Sequence, residues 1–324
     1  MSSARVLVVD DVMTNLKVLE GLLQSYGLLV DLCDSGLKAL DKVYEQDYHI
    51  IFMDYLMPDM DGAEVTARMR KTGVNVPIIA VTAAGHAQAK ELYIKKGFSD
   101  FLPKPVDINE MDGILRKWLP GITLQTPQAI KQEAFSVVIS GVDTSRGVSM
   151  SGGTIDSYYN TLLIFHDEIR AKLTDIKNAL EKKDIPLFTV YIHAIKSASS
   201  NIGAMEISKE AAFLEAAGTR GDTDAIKRQI SQFFTDLDAL LNEIYAIISA
   251  RAVQSTPVAE ADILSHLTQI KEAMDNFDTE QINEIADILQ NFVHDNTHGA
   301  IIKKILQHKL AGEYDEAIEL IDAV

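Results

Sequence analysis

The stretch Val6-Leu7-Val8-Val9-Asp10-Asp11 decides how the first part of this chain folds. Its first four residues form an uninterrupted apolar run, which is typical of a strand buried on both faces of a parallel sheet. The following residues, Met13–Tyr26, place leucine and valine at helical spacing, and Gly27 ends the predicted helix. A buried strand followed directly by an amphipathic helix is the repeating unit of a doubly wound α/β sheet.

The same alternation of strands and helices continues to residue 118. Further strands are predicted at residues 28–32, 49–53, 76–81 and 99–102. Further helices are predicted at residues 36–45, 62–70, 87–96 and 108–118. This pattern predicts a five-stranded, doubly wound parallel sheet with right-handed crossovers.

The pattern changes after Pro120 and becomes helical from Thr154 onward. Residues 121–153 contain several glycines, and their composition alone predicts a linker with one or two short helices. Helices are then predicted at residues 154–166, 168–182, 185–202, 204–217 and 223–251, as in an antiparallel bundle. A second linker is predicted at residues 252–260, followed by three or four amphipathic helices in a small module at 261–324.

Composition limits the class of protein. The 324 residues are 47% hydrophobic and 24% charged, which is an ordinary globular balance. The net charge of −17 and the lack of a basic stripe argue against nucleic-acid binding. The single cysteine, Cys33, favours a reducing compartment, and neither a signal peptide nor an apolar run of about 20 residues is visible. We therefore expect a cytoplasmic protein whose chain makes no membrane contact.

Five chemically useful side chains follow the predicted strands. They are Asp10, Asp11, Asp54, Thr82 and Lys104. Ligands of open parallel sheets bind beyond the carboxyl ends of the strands, so these groups are expected on one rim. Each carboxylate taken singly could be a solvated loop residue, but the joint arrangement favours a site.

The chemistry of this rim suits Mg²⁺ and phosphoryl transfer. Three neighbouring carboxylates repel one another unless a cation joins them, and an all-oxygen site is typical of Mg²⁺. Such a site can accept a phosphoryl group on a carboxylate, with Lys104 neutralising the transferring oxygens and Thr82 donating a hydrogen bond.

The motifs of this segment resemble the receiver domains of two-component response regulators. They are Val8-Val9-Asp10-Asp11, the run from Met53 to Gly62, Val81-Thr82-Ala83 and Phe101-Leu102-Pro103-Lys104-Pro105. The resemblance covers residues 4–118 and implies a flavodoxin-like fold. It also implies Asp54 as phosphoryl acceptor, Asp10 and Asp11 as acidic metal-pocket residues, the backbone carbonyl of Leu56 as a metal ligand, Thr82 and Lys104 as phosphate contacts, and Phe101 as a switch aromatic.

Two further features follow from that resemblance. Pro105 after Lys104 matches the cis peptide of the family. Leu56 and Ala84 flank the acceptor where a polar side chain could orient an attacking water, and both are apolar. We therefore expect slow loss of phosphate from Asp54.

The helical part contains one histidine in a distinctive setting. His193, Lys196, Ser197 and Ser200 share one helix face, which we expect to point outward from the bundle. A neutral imidazole is a good nucleophile towards phosphorus, and Lys196 can stabilise the added negative charge. His294 and His298 are spaced like a metal pair, but the residues between them favour a turn.

The His193 segment resembles histidine phosphotransfer (HPt) domains, in which glycine usually stands at the position of Ser197. Leu214-Glu215 resembles a Leu-Glu pair of that family, for which we expect a structural role. The resemblance moves the start of this domain back into the compositional linker. The expected organisation is a receiver at 1–120, a linker at 121–134, the HPt bundle at 135–251 and an accessory helical module at 261–324.

Together these features predict a phosphorelay intermediate. An upstream histidine kinase would phosphorylate Asp54, and His193 would pass the group to or from a downstream response-regulator receiver. No ATP-binding motifs are present, so the chain is either a complete relay protein or the C-terminal part of a hybrid sensor kinase. Two alternatives stay open: an Mg²⁺-dependent phosphohydrolase with an aspartate nucleophile, disfavoured because Val12 stands two residues after Asp10, and a vestigial signalling scaffold.

Overall fold

The computed structural model describes residues 4–58, 60–82, 87–125, 137–254, 260–290, 292–293 and 298–324. The chain forms two compact units, Met1–Tyr245 and Ala246–Val324. Parts of both predicted linkers lie outside the described residues. His294, which was considered with His298 as a possible metal pair, also lies outside them.

The first unit begins with the predicted five-stranded parallel sheet. Its strands are β1 (Arg5–Val9), β2 (Leu29–Cys33), β3 (Ile50–Asp54), β4 (Ile78–Thr82) and β5 (Asp100–Pro103). Their order is β2-β1-β3-β4-β5, and every pairing is parallel. Every residue of β3 and β4 is buried, as the continuous apolar runs predict.

Among the described residues of this domain, five helices alternate with these strands, and the flavodoxin-like fold class is therefore confirmed. The helices are α1 (Met13–Gln24), α2 (Gly36–Glu45), α3 (Gly62–Lys71), α4 (Ala87–Lys95) and α5 (Ile108–Trp118). The register sets Val9 of β1 opposite Met53 of β3. The residues that follow these two, Asp10 and Asp54, therefore emerge side by side at one edge of the sheet.

In the described residues after the sheet domain, a short helix is followed by four long ones, the last of which continues past Tyr245. They are α6 (Thr144–Met150), α7 (Ile155–Glu181), α8 (Ile185–Asn201), α9 (Met205–Thr219) and α10 (Thr223–Gln254). The prediction of separate helices at 154–166 and 168–182 is wrong, because α7 is continuous over 27 residues. The chain has neither proline nor glycine around Asp167 to end a helix there, and Glu168 accepts hydrogen bonds from Met13 and Thr14 of α1.

Helix α1 of the sheet domain packs directly on α7 and α8 of the bundle. Gly21 allows a close approach at the side of α1, because a Cβ atom there would lie 3.0 Å from the carbonyl oxygen of Ser151. The sheet domain and the bundle therefore share a packed interface along one face of α1.

The second unit contains α11 (Glu260–Asp275), α12 (Thr279–Gln290), α13 (Gly299–Ala311) and α14 (Tyr314–Asp322). These helices enclose their own apolar core, which includes Leu267, Ile270, Leu289 and Ile302. Within the described parts of both units, no helix combines the length and apolar character needed to span a bilayer.

Candidate functional site

Three carboxylates meet at the edge of the sheet, as predicted. One carboxylate oxygen from each of Asp10, Asp11 and Asp54 lies within 4.8 Å of the others. Asp10 and Asp54 are buried, whereas Asp11 is partly exposed. The strand register creates this cluster, because Asp10 and Asp54 end neighbouring parallel strands.

Lys104 supplies the positive charge of the cluster. Its Nζ lies 2.8 Å from Oδ2 of Asp10 and 2.8 Å from Oδ1 of Asp54. Its backbone N–H donates to the carbonyl oxygen of Thr82 at 2.7 Å, and the peptide bond to Pro105 is cis. The segment after β5 is thus anchored to the end of β4 with the ammonium between the two acids.

Burial and crowding disturb the ionisation of these groups. Burial raises the pKa of Asp54 to about 8, with repulsion from Asp10 partly offsetting the attraction of Lys104. Burial and the Asp10 charge also raise the pKa of Asp11 to about 7. For Lys104, burial opposes the charged form, but the two carboxylates raise its pKa overall. One ammonium therefore does not balance three carboxylates.

This donor set fits a hard divalent cation. All of its ligand atoms are carboxylate oxygens, and their excess negative charge calls for a further positive charge. Leu56, two residues beyond Asp54, has an exposed side chain. Ala84, the other predicted neighbour of the acceptor, lies outside the described residues.

Backbone groups hold the two buried acids in position. The N–H of Val12 donates to Oδ1 of Asp10, and the N–H of Tyr55 donates to Oδ1 of Asp54, each at 2.9 Å. Gly62 passes close to the acceptor, since a Cβ atom there would lie 2.0 Å from the carbonyl oxygen of Asp54. Only glycine can occupy that position without moving the backbone.

Thr82 contacts a residue that the sequence analysis did not identify. Its Oγ1 shares a hydrogen bond of 2.9 Å with the phenolic oxygen of Tyr93 on α4, and both side chains are buried. The Tyr93 ring centroid lies 5.9 Å from that of Phe101, whose side chain is partly buried. Thr82, Tyr93 and Phe101 therefore form a contact chain leading away from the acid cluster.

The expectation of an exposed His193 is wrong, since the residue is only 5% exposed. Its face of α8 packs against α1 and α9, as the hydrogen bond from Ser197 Oγ to Asn15 Oδ1 shows. His193 Nδ1 lies 2.6 Å from Oε1 of Glu215 on α9, and Lys196 donates to the other oxygen of that carboxylate.

These contacts determine which nitrogen of His193 is reactive. A carboxylate only accepts hydrogen bonds, so the neutral ring carries its proton on Nδ1 and leaves the Nε2 lone pair available. Burial lowers the pKa of His193, and the charges of Lys104 and Lys196 lower it further. The hydrogen bond to Glu215 raises the pKa but does not outweigh these effects. The lowered pKa keeps the ring neutral at pH 7.

Comparison with protein families identifies the two parts of this unit. Residues 6–116 match the response regulator receiver domain, and residues 161–250 match the Hpt domain. The chain carries a receiver domain followed by an Hpt domain. The acid cluster belongs to the receiver, and His193 lies on the second long helix of the Hpt bundle.

Several known proteins are similar to this receiver–Hpt chain. Sensor histidine kinase GacS of Pseudomonas protegens is 28% identical over 244 residues, which is 73% of this chain and 26% of that protein. Signal transduction histidine-protein kinase BarA of Escherichia coli K12 is 30% identical over 178 residues, which is 52% of this chain and 19% of that protein. The chain thus spans about a quarter of these relatives or less.

Among solved structures, a similar one is the magnesium-bound receiver domain of sensor histidine kinase PA1611 from Pseudomonas aeruginosa PAO1. It is 34% identical and covers 36% of this chain and 98% of its own, with a TM-score of 0.34.

For three residues, the sequence analysis either failed to identify the residue or assigned it only a structural role. Glu215 was assigned a structural role, although it directly contacts His193. Asn15 and Glu168 were not identified, because their partners lie more than 150 residues away in the chain. The Leu-Glu motif was the one available signal for Glu215; helical periodicity offers no signal for the other two.

Proposed function

We propose that this chain is a phosphorelay intermediate in which a phosphoryl group moves between Asp54 and His193. The supporting observation is the shared interface, where α8 packs on α1 while Lys104 joins Asp10 to Asp54 at the adjoining strand ends. An upstream phosphohistidine of a histidine kinase supplies the group, and a downstream receiver takes it. The proposed domain limits are 1–120 for the receiver, 121–134 for the linker, 135–251 for the Hpt domain and 261–324 for an accessory module.

The first step loads the receiver. The ionised Asp54 carboxylate attacks phosphorus, the phosphorus–nitrogen bond of the donor phosphoimidazole breaks, and the released imidazole takes up a proton. Lys104 neutralises the transferring oxygens, and the Thr82 hydroxyl donates a hydrogen bond to one of them. Phe101 then follows Thr82 through its contact with Tyr93.

Asp10, Asp11, Asp54 and the backbone carbonyl of Leu56 are the proposed ligands of Mg²⁺. When bound, the ion neutralises the acid cluster and the phosphoryl oxygens.

The second step transfers the group to the Hpt domain. Nε2 of His193 attacks phosphorus and the bond to the Asp54 oxygen breaks, which regenerates the carboxylate. Glu215 holds the Nδ1 proton, and Lys196 lies beside the ring to stabilise the added negative charge. Both phosphorylated forms are reactive, so the step runs in either direction. The apolar Leu56 side chain offers no group to orient water, which favours slow loss of phosphate.

Residue-level phosphate mapping tests this function. The full chain is incubated with an acyl-phosphate donor and Mg²⁺ as wild type, Asp54→Asn and His193→Gln. We expect phosphate on Asp54 and His193 in the wild type, on Asp54 alone in His193→Gln, and on neither residue in Asp54→Asn.

Two other outcomes contradict the relay. Continuous release of inorganic phosphate from small phosphoesters, abolished by Asp54→Asn, would instead establish a phosphohydrolase. Wild-type protein that carries phosphate on neither residue with any donor would establish a vestigial scaffold.

A further inference from the structure

We propose that Glu168 docks the Hpt domain onto the receiver of the same chain, and that transfer between Asp54 and His193 is therefore intramolecular. This inference rests on the proposed relay function. It assigns a positioning role to a residue that touches neither the acid cluster nor the imidazole.

Glu168 caps the N-terminus of α1, which has no capping side chain of its own. Its Oε1 accepts the N–H of Met13 at 3.0 Å, and its Oε2 accepts the N–H and the hydroxyl of Thr14 at 3.1 and 2.9 Å. The residue at the N-cap position of α1 is Val12, whose apolar side chain makes no capping bond. The first N–H groups of a helix need acceptors, and a carboxylate is the strongest one at that end.

Glu168 can cap α1 only while the Hpt domain and the receiver are in contact. The carboxylate comes from α7 of the Hpt domain, its side chain is only 11% exposed, and Lys172 lies 4.0 Å away. A buried carboxylate must have hydrogen-bond donors, and those of Glu168 belong to the receiver. If the two domains separate, Glu168 loses its hydrogen-bond donors, and the first N–H groups of α1 lose their acceptor at the same time.

Asn15 fixes the register of the docked domains. Its side-chain N–H₂ donates to both carboxylate oxygens of Asp10, at 3.0 and 3.1 Å. Its side-chain oxygen accepts from Ser197 Oγ at 3.1 Å and from Asn201 Nδ2 at 2.9 Å. One amide thus joins the acid cluster to α8, the helix that carries His193. Glu168 of α7 and the α8 partners of Asn15 therefore hold the first turn of α1 against two Hpt helices.

The test compares Glu168→Ala and Glu168→Gln with Asp175→Ala, which removes an exposed carboxylate from the same helix. Full-length chains are loaded with an acyl phosphate, and transfer from Asp54 to His193 is followed over time. Hydrogen exchange is measured separately at the amides of Met13 and Thr14. Loading of Asp54 is measured in the His193→Gln background.

We expect the apparent first-order rate constant of transfer in the wild type to be independent of protein concentration. Glu168→Ala should slow transfer at least about tenfold and speed exchange at both amides, since a hydrogen bond to a charged group is worth a tenfold factor or more. Glu168→Gln, which keeps one acceptor oxygen, should fall between wild type and Glu168→Ala. Asp54 loading should stay unchanged in every variant, which shows that the receiver is folded.

Two results would overturn the proposal. One is an apparent first-order rate constant that rises in proportion to protein concentration. The other is a wild-type rate constant in Glu168→Ala, with or without faster amide exchange. Failure of the relay function itself looks different, because wild-type chain would then carry no phosphate on Asp54 or His193.

Discussion

Nδ1 of His193 donates a hydrogen bond of 2.6 Å to Oε1 of Glu215, on the next helix of the bundle. The contact orients the imidazole and directs Nε2 towards chemistry. It also gives the buried Nδ1–H group of the ring a hydrogen-bond acceptor. Glu215 thereby becomes a functional residue of the Hpt domain, supported in turn by Lys196.

Glu215→Gln should slow phosphoryl transfer to His193 by about ten- to a hundredfold, because a charge-assisted hydrogen bond contributes about 1.5–3 kcal/mol. Loading of Asp54 should not change. The matched control is Glu206→Gln, an exposed residue at the start of the same helix, paired with Lys209. Equal rates in the two variants would show that Glu215 does not orient the ring.

Mg²⁺ affinity should fall as the pH is lowered from about 8 to about 6. The pKa of Asp54 is raised to about 8 and that of Asp11 to about 7, so protons compete with the ion over this range. Calorimetry at pH 7 in two buffers of different ionisation enthalpy should detect proton release on Mg²⁺ binding. Binding without proton release would contradict the raised pKa values.

The same groups predict a pH-dependent stability of the metal-free chain. Because the folded pKa values of Asp11 and Asp54 lie above the ordinary aspartate value of 3.8, the folded state binds more protons between about pH 4 and pH 8. Their contribution to stability is therefore present below pH 4 and lost as the pH rises to 8. Urea unfolding without Mg²⁺ should therefore give a lower free energy of unfolding at pH 8 than at pH 6, and equal values at the two pH values would contradict this.

Tyr93→Phe should lower the free energy of unfolding by about 1 kcal/mol, because it removes the buried hydrogen bond to Thr82. Tyr44→Phe is the control, since Tyr44 is 69% exposed and its hydroxyl is available to water. Denaturant unfolding of both variants measures the difference. If the two variants are equally stable, the Thr82–Tyr93 bond contributes nothing to the fold.

Gly62→Ala should destabilise the receiver by about 1–3 kcal/mol and reduce loading of Asp54, because its new methyl group would displace the backbone of the acceptor. Gly113→Ala is the control. That helical position has open space for a methyl group and should become more stable by about 0.5–1 kcal/mol. Normal loading in Gly62→Ala would show that the backbone adapts without cost.

Local pattern was sufficient to predict the sheet and its rim. Each strand is a short apolar run. Because the strands are parallel, the side chain that follows each one lies at the same edge of the sheet. Asp10, Asp54, Thr82 and Lys104 could therefore be identified before any contact was known. The continuity of α7 was not predicted, because the Asp167 region contains acidic residues that are compatible with either a turn or a helix.

The sequence by itself determined the receiver sheet, the helical bundle, the acid cluster and the choice of His193, because each depends on periodicity or on spacing along the chain. Tertiary structure alone decided the burial of His193, the contact with Glu215 and the roles of Asn15 and Glu168. These depend on which faces of separate helices meet. Neighbours that are distant in the chain, such as Thr14 and Glu168, leave no periodic signal in either segment.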